Sequence, residues 1–182
     1  MPKLIAFLRA INVGGHNVKM ETLRTLFLEL GCANVETFIA SGNVIFDSKA
    51  KNIKTLENRI AEHLHKSLGY EVATFIRTVA EVKSIAQYHP FTEAEPNFAV
   101  GFLAEPLSLE MTNTLLTYRN EMDDLSVYNR EVYWLPRTNQ LDSPVSKAGL
   151  EKIIKTKATV RGINTVRKLA AKYSTSNNGK NE

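Results

Sequence analysis

The sequence contains one cysteine, Cys32, and lacks the motifs that most readily identify an active site. A single cysteine excludes an internal disulfide and any cysteine-based metal cluster. His63 and His65 stand two residues apart in a predicted helix, so their side chains point in different directions and cannot share an ion. No HExxH, EF-hand loop or G-x-S-x-G motif is present. We therefore expect no metal ion and no cofactor, and we assign no catalytic residue.

Long apolar runs are also missing. The first apolar stretch, residues 3–11, has the length of a β-strand and is soon followed by Gly14-Gly15, unlike a signal peptide or a membrane span. We expect a cytoplasmic location and no membrane partner. The composition, 43% hydrophobic and 23% charged, is ordinary for a globular protein. A chain of 182 residues can form one large domain or two small ones.

Charge is unevenly distributed along the chain. Residues 1–146 contain 14 Lys/Arg against 17 Asp/Glu, whereas residues 147–182 contain 9 Lys/Arg against 2 Glu. The basic C-terminal part is suited to attracting phosphate or another acidic ligand. A solvated basic helix face that only aids solubility is the alternative interpretation.

Hydrophobic periodicity predicts a β-α-β-β-α-β order for the first half of the chain. Two segments of similar sequence support this order: Leu-Gly followed by V-x-T-F-I occurs at residues 30–39 and again at residues 68–76. The predicted strands are 3–11, 35–40, 43–47 and 72–77, and the predicted helices carry apolar positions 23–30 and 53–68, ended by Gly31 and Gly69.

The second half is predicted to have a similar plan. Thr78-x-x-Glu81 is a capping box that starts a helix, and Ser108 can cap the next one. Further predictions are a strand at 97–104, a hairpin of 125–129 with 131–135, and helices at 147–155 and 164–173, the last capped by Asn164.

These elements predict an α+β fold made of two tandem ferredoxin-like halves with antiparallel sheets. The predicted limits are 1–77 for the first half and 78–173 for the second, with a disordered tail at 174–182. Ser146 is predicted to be a helix cap, and Cys32 to be buried and without a chemical role.

Three polar segments are the candidates for a binding site. Arg9 interrupts an apolar strand ahead of Gly14-Gly15, where backbone N–H groups could receive an anion; alternatively the glycines only turn the chain, and Arg9 pairs with an internal acid. Ser41-Gly42-Asn43 is either a hairpin turn or a set of ligand donors. Residues 159–168 surround a predicted helix start, which favours either an anion-binding corner or a structural cap. The predicted ligand-binding residues are Arg9, Asn12, Gly14, Gly15, Ser41, Gly42, Asn43, Lys147, Arg161, Asn164, Thr165 and Lys168.

Four motifs follow one another in order: LRAINVGG at 8–15, SGNV at 41–44, SK at 146–147 and T-x-R-x-x-N-T-V at 159–166. Together they resemble the pattern of an uncharacterised bacterial family catalogued as domain of unknown function 1697. The sequence departs from that pattern at Ala10, where glycine is usual, and at Gly162, where asparagine is usual. The resemblance implies a duplicated ferredoxin-like α+β fold and no established activity.

The leading functional hypothesis is a small anionic or nucleotide-like ligand bound in a cleft between the two halves, with catalysis left open. One alternative is a single-stranded nucleic-acid-binding module, in which Tyr128, Tyr133 and Trp134 would stack on bases. The other is a protein-interaction scaffold without a pocket. We expect a monomer or a weak dimer.

Overall fold

The first half of the chain forms a four-stranded antiparallel sheet and two helices, in a computed structural model that describes residues 1–39, 42–94, 96–139 and 141–174. The strands lie in the order β2-β3-β1-β4, so the first strand occupies a central position between the third and the fourth. The elements are β1 (Lys3–Leu8), α1 (Met20–Glu29), β2 (Ala33–Thr37), β3 (Asn43–Asp47), α2 (Ile53–Leu68) and β4 (Thr74–Thr78).

The second half repeats this arrangement of strands after the helix α3 (Val79–Gln87). Its sheet has the order β6-β7-β5-β8, and all of its strand pairs are antiparallel. The predicted α+β class with antiparallel sheets is therefore confirmed. The elements are β5 (Ala99–Phe102), α4 (Leu109–Leu116), β6 (Asp123–Tyr128), β7 (Glu131–Pro136), α5 (Pro144–Ala148), α6 (Leu150–Ile154), β8 (Thr159–Gly162) and α7 (Ile163–Ser174).

Several helix ends follow from the local sequence. The Thr78 hydroxyl accepts a hydrogen bond from the Glu81 N–H, and the Glu81 carboxylate accepts one from the Thr78 N–H, so the predicted capping box is confirmed. Ser108 caps α4 as predicted, through the N–H of Met111. Gly69 ends α2 with a left-handed φ of 82°.

Four local predictions were wrong. Residues 159–162 form the strand β8, so α7 begins at Ile163 and Asn164 lies in its first turn instead of capping it. The single helix predicted over 147–155 is two short helices separated by Gly149, whose φ is 83°. Ser143, and not Ser146, caps the first of them. The predicted strand over residues 3–11 ends at Leu8.

The contacts divide the chain into two compact units, which are described separately. The first unit is Met1–Ala86 together with the chain from Lys168 onward, and the second unit is Gln87–Arg167. Each has its own apolar core: Leu4, Phe27 and Ile60 belong to that of the first unit, and Leu103 and Val132 to that of the second. The predicted limits at 77 and 78, and the ferredoxin-like and duplicated character of the halves, remain predictions. The tail predicted at 174–182 lies, from residue 175, outside the described residues.

No helix within the described ranges combines the length and the apolar character needed to cross a membrane.

Candidate functional site

The segment that follows β1, residues 9–16, is here called the glycine loop. Arg9 lies one residue beyond β1 and is half-buried, and its N–H donates to the Ala73 carbonyl at 2.9 Å. The Tyr70 hydroxyl donates to the Ile11 carbonyl at 2.7 Å, and the His16 ring stacks on the Tyr70 ring with centroids 3.7 Å apart. The loop is therefore held to the chain that connects α2 with β4.

The Asn12 side chain has a structural role in the glycine loop. The Asn12 side-chain oxygen accepts a hydrogen bond from the Val18 N–H at 2.9 Å, which closes the turn leading into α1. Gly14 and Gly15 are exposed and have φ values of 69° and 86°, which L-residues rarely adopt. No atom of the described residues lies within 4 Å of a Cβ added to either glycine, in keeping with the exposure of this part of the loop.

Two of the three predicted segments lie together in the first unit, because Gly42 packs directly against the start of the glycine loop. The Leu8 N–H donates to the Gly42 carbonyl at 2.8 Å. Asn43 is buried, and its amide nitrogen donates to the Phe38 carbonyl at 3.1 Å, which closes the loop between β2 and β3. Ser41, the remaining residue of the Ser41-Gly42-Asn43 segment, lies outside the described residues.

Ala10 has a left-handed backbone with a φ of 56°. This conformation costs an L-residue about 1–2 kcal/mol, a cost from which glycine is exempt. We expect Ala10→Gly to raise the free energy of unfolding by about 0.5 kcal/mol, because the relief of strain exceeds the added chain entropy of glycine. Urea denaturation measures the change. The control Ala61→Gly, inside α2, should instead lower the free energy of unfolding by about 1 kcal/mol. A decrease of similar size for Ala10→Gly would contradict the left-handed conformation of Ala10.

The basic residues predicted in the second unit take different positions. Lys147 is exposed on α5. Arg161 lies on β8, where its guanidinium donates to the Thr159 hydroxyl at 2.8 Å and to the Val160 carbonyl at 2.9 Å. Burial lowers the pKa of the Arg161 guanidinium to about 10. Both residues lie outside the lining of the pocket described next.

A pocket of about 510 Å³ lies within the second unit, at the start of α7. Asn164 and Arg167 are three residues apart in that helix and therefore share one of its faces. The other walls come from the segment that leads from α3 to β5. The lining residues are His89, Ala94, Pro96, Asn97, Asn164 and Arg167; we call this the α7 pocket.

Arg167 contributes a positive charge to the lining of the α7 pocket. The Arg167 guanidinium lies 5.9 Å from the centre of the buried Phe98 ring, and it donates to the Asn164 side-chain oxygen at 3.4 Å. Among the described residues, no carboxylate pairs with Arg167. Glu93, from the same connecting segment, is engaged instead by Arg137 at 2.7 Å, and this hydrogen bond lowers the pKa of Glu93.

The first turn of α7 borders the pocket, because Asn164 belongs to both. Four N–H groups at a helix start lack intrahelical acceptors, and that end of the helix dipole is positive. The Ile163 N–H donates to the Phe98 carbonyl at 2.9 Å, which fixes the helix start against the end of the segment preceding β5. No acidic residue occupies the first turn of α7. No carboxylate of this turn therefore neutralises the positive end of the helix dipole.

Of the six residues that line the α7 pocket, the predicted binding residues include one, and the three other polar ones are absent from that prediction. Asn164 was predicted, whereas Thr165 and Lys168, on the same helix, are half-buried and exposed, and neither lines the pocket. His89 and Asn97 form no recognisable motif with Asn164, because they lie before β5 and Asn164 lies after β8, far away in the sequence. Arg167 could have been found from its spacing of three residues after Asn164. Convergence of all three polar segments remains a prediction.

The nucleic-acid alternative receives little structural support. Of the three aromatics proposed to stack on bases, Tyr133 is buried, and the Trp134 indole N–H is bound to Asp123 at 2.7 Å. Tyr128 is exposed but already stacks on Tyr88.

Cys32 is buried, and burial raises the pKa of its thiol. No cluster of three histidine, cysteine, aspartate or glutamate side chains in the described chain is placed to hold a metal ion.

Comparison with known proteins confirms the family resemblance. The profile of a family described as a protein of unknown function (DUF1697) matches residues 1–133. A solved structure of a conserved bacterial protein from Streptococcus pneumoniae is similar, with a TM-score of 0.70 and 20% sequence identity, over 96% of this chain and 99% of that one. At this identity the similarity supports the fold alone. No curated protein matches the chain.

Proposed function

The chain belongs to the protein family of unknown function DUF1697, so its role has to be inferred from its own residues, and we propose that the α7 pocket binds a small anionic ligand. The observation that carries the proposal is the position of Arg167. Its guanidinium lines a pocket of about 510 Å³ and has no carboxylate partner among the described residues. A cation held at a pocket wall without a counter-ion favours an anionic occupant.

The remaining lining residues suit the same ligand. Asn97 and Asn164 carry amide groups that donate hydrogen bonds, and the histidine ring of His89 can donate as well. The first turn of α7 supplies backbone N–H groups and the positive end of the helix dipole. The planar guanidinium of Arg167 can form two parallel hydrogen bonds to a phosphate or carboxylate group, which fixes the orientation of the ligand.

The size of the pocket indicates the class of ligand. Pockets for small metabolites usually measure about 300–1,000 Å³, and the α7 pocket, at about 510 Å³, falls inside that range. It can accept more than an inorganic ion. We therefore propose a metabolite that carries a phosphate or carboxylate group, with nucleotides as one such class. We propose binding only and assign no catalytic step.

Arg167→Ala is expected to weaken anion binding at least tenfold, which corresponds to about 1.4 kcal/mol for the loss of a charge-assisted pair. Isothermal titration calorimetry at low salt, with pyrophosphate, a nucleoside monophosphate and citrate as probes, measures the dissociation constants. Arg167→Lys should give an intermediate affinity, because it keeps the charge and loses the planar geometry.

Arg24→Ala is the matched control. Arg24 is exposed on α1 in the first unit, so its removal changes the net charge by the same amount without touching the α7 pocket. The affinity of the Arg24→Ala variant for the probes should equal that of the wild type. If no probe binds to the wild type at low salt, or if Arg167→Ala and Arg24→Ala bind equally well, the proposed function is wrong.

A further inference from the structure

β8 is an edge strand whose outward peptide groups can be identified. Among the described strands it pairs only with β5, with Arg161 opposite Val100 and Val160 opposite Gly101. In an antiparallel pair, every second residue directs its N–H and C=O toward the neighbouring strand. The Ile163 N–H donates to the Phe98 carbonyl, so the residues that face β5 are those two and four positions before Ile163. Arg161 therefore directs its N–H and C=O toward β5. Val160 and Gly162 direct theirs away from the sheet, and the outward Val160 carbonyl accepts a hydrogen bond from the Arg161 guanidinium at 2.9 Å.

A groove of about 310 Å³ runs beside this edge. Leu150, Ala158 and Val160 supply its apolar surface, and the Val160 side chain is 41% exposed. Gly101 allows Leu150 to lie close to the sheet, since a Cβ on Gly101 would lie 3.1 Å from the Leu150 Cδ2. The edge therefore combines outward peptide groups with an apolar recess for a side chain.

The charge around the groove is positive. Lys152, Lys155 and Lys157 are all exposed in the segment that leads into β8. The nearby acid, Glu151, accepts a hydrogen bond from the Ala158 N–H at 2.8 Å, so its carboxylate is engaged by the backbone. A second copy of the chain docked at β8 would bring two such sets of lysines together. The charge therefore disfavours self-association and favours an acidic partner.

We propose that β8 and this groove bind an extended acidic segment of another protein, which adds to the sheet as a fifth strand. The N–H groups of Val160 and Gly162 and the Gly162 carbonyl would bond to the backbone of the segment, as in strand addition to a sheet edge. Alternate side chains of the segment would enter the groove, and its acidic side chains would face Lys152, Lys155 and Lys157. This surface is separate from the α7 pocket, whose lining residues it does not share.

The test uses a fluorescent peptide of alternating glutamate and valine, six residues long and capped at both ends, titrated by anisotropy into the full chain. We expect saturable binding that weakens with salt and falls at least tenfold in Val160→Pro. Proline at position 160 removes an N–H that points outward and leaves the bonds to β5 intact, so the sheet should fold normally. A peptide with N-methylated alternate amides, titrated into the wild type, removes the reciprocal bonds, from the N–H groups of the peptide to the outward carbonyls of β8, without altering the protein.

Three results would overturn the proposal: equal binding of a lysine–valine peptide, full binding of the N-methylated peptide, or unchanged binding in a folded Val160→Pro variant. Sedimentation that shows a dimer of the wild type, lost in Val160→Pro, would assign the edge to a second copy and would also overturn it. Arg167→Ala should bind the peptide as the wild type does, and Val160→Pro should bind pyrophosphate normally, so failure of one proposal leaves the other intact.

Discussion

Gly42→Ala is expected to destabilise the protein by about 2–4 kcal/mol, the range for backbone strain combined with overpacking. Gly42 has a φ of 72°, and an added Cβ would lie 2.7 Å from the Ile11 Cγ2 and 3.1 Å from the Leu8 Cβ. Leu8 ends the central strand β1 and Ile11 is buried, so neither can move away without disturbing the core. Equilibrium denaturation in urea measures the loss.

Gly14→Ala separates the two contributions to this effect. Gly14 has a similar φ of 69°, but no described neighbour lies within 4 Å of its added Cβ. The substitution should therefore cost only the strain of the left-handed backbone, about 1 kcal/mol. Equal losses at Gly14 and Gly42 would contradict the close packing of Gly42 against the glycine loop.

Asp123→Ala should cost about 3 kcal/mol, because it leaves buried hydrogen-bond donors without an acceptor. Asp123 is completely buried, and its carboxylate accepts hydrogen bonds from the Trp134 indole at 2.7 Å and from the Ser143 hydroxyl at 2.8 Å and 2.9 Å. Ser143 also caps α5. The loss should appear in urea denaturation and in the exchange of the Trp134 indole proton.

Asp142→Ala is the charge-matched control for Asp123→Ala. Asp142 is exposed and adjacent to Ser143, so its removal changes the net charge equally and should alter stability by less than about 0.5 kcal/mol. Asp123→Asn should fall between the two variants, because the amide keeps one acceptor and presents a donor where an acceptor is needed. Similar stabilities for Asp123→Ala and Asp142→Ala would show that the buried network contributes little.

The sequence predicted most of the fold because its helices carry clear apolar stripes and strong end residues. α2 ends at Gly69, α3 begins with a capping box, and both are short-range features. The repeated V-x-T-F-I segments were less informative than they looked. Thr37 is the last residue of β2, whereas Thr74 is the first residue of β4, so the two segments occupy different positions relative to their strands.

β8 was missed because four residues are too few to show an alternating pattern. Its sequence, TVRG, ends in a glycine and contains an arginine, which favoured a loop leading into a helix. The strand exists because β5 pairs with it across a long separation in sequence. The same error moved the predicted start of α7 and made Asn164 its cap, although Asn164 was also predicted to bind a ligand and does line the α7 pocket.

The candidate site was predicted only in part for a similar reason. Arg9, Asn12 and Asn43 are polar residues in an otherwise apolar context, and the structure shows Asn12 and Asn43 holding loops closed. A polar side chain that bonds to the backbone cannot be distinguished by type from one that binds a ligand. His89 and Asn97 enter the α7 pocket only through tertiary structure, which no local pattern reveals.

The central claim is that the α7 pocket binds a small anion, and amide chemical shifts recorded during a titration of the ¹⁵N-labelled chain with pyrophosphate test it most directly. The account predicts saturable shifts concentrated at His89, Asn97, Asn164 and Arg167, and their loss in Arg167→Ala. Shifts confined to other surfaces, or no saturable shift at low salt, would contradict it.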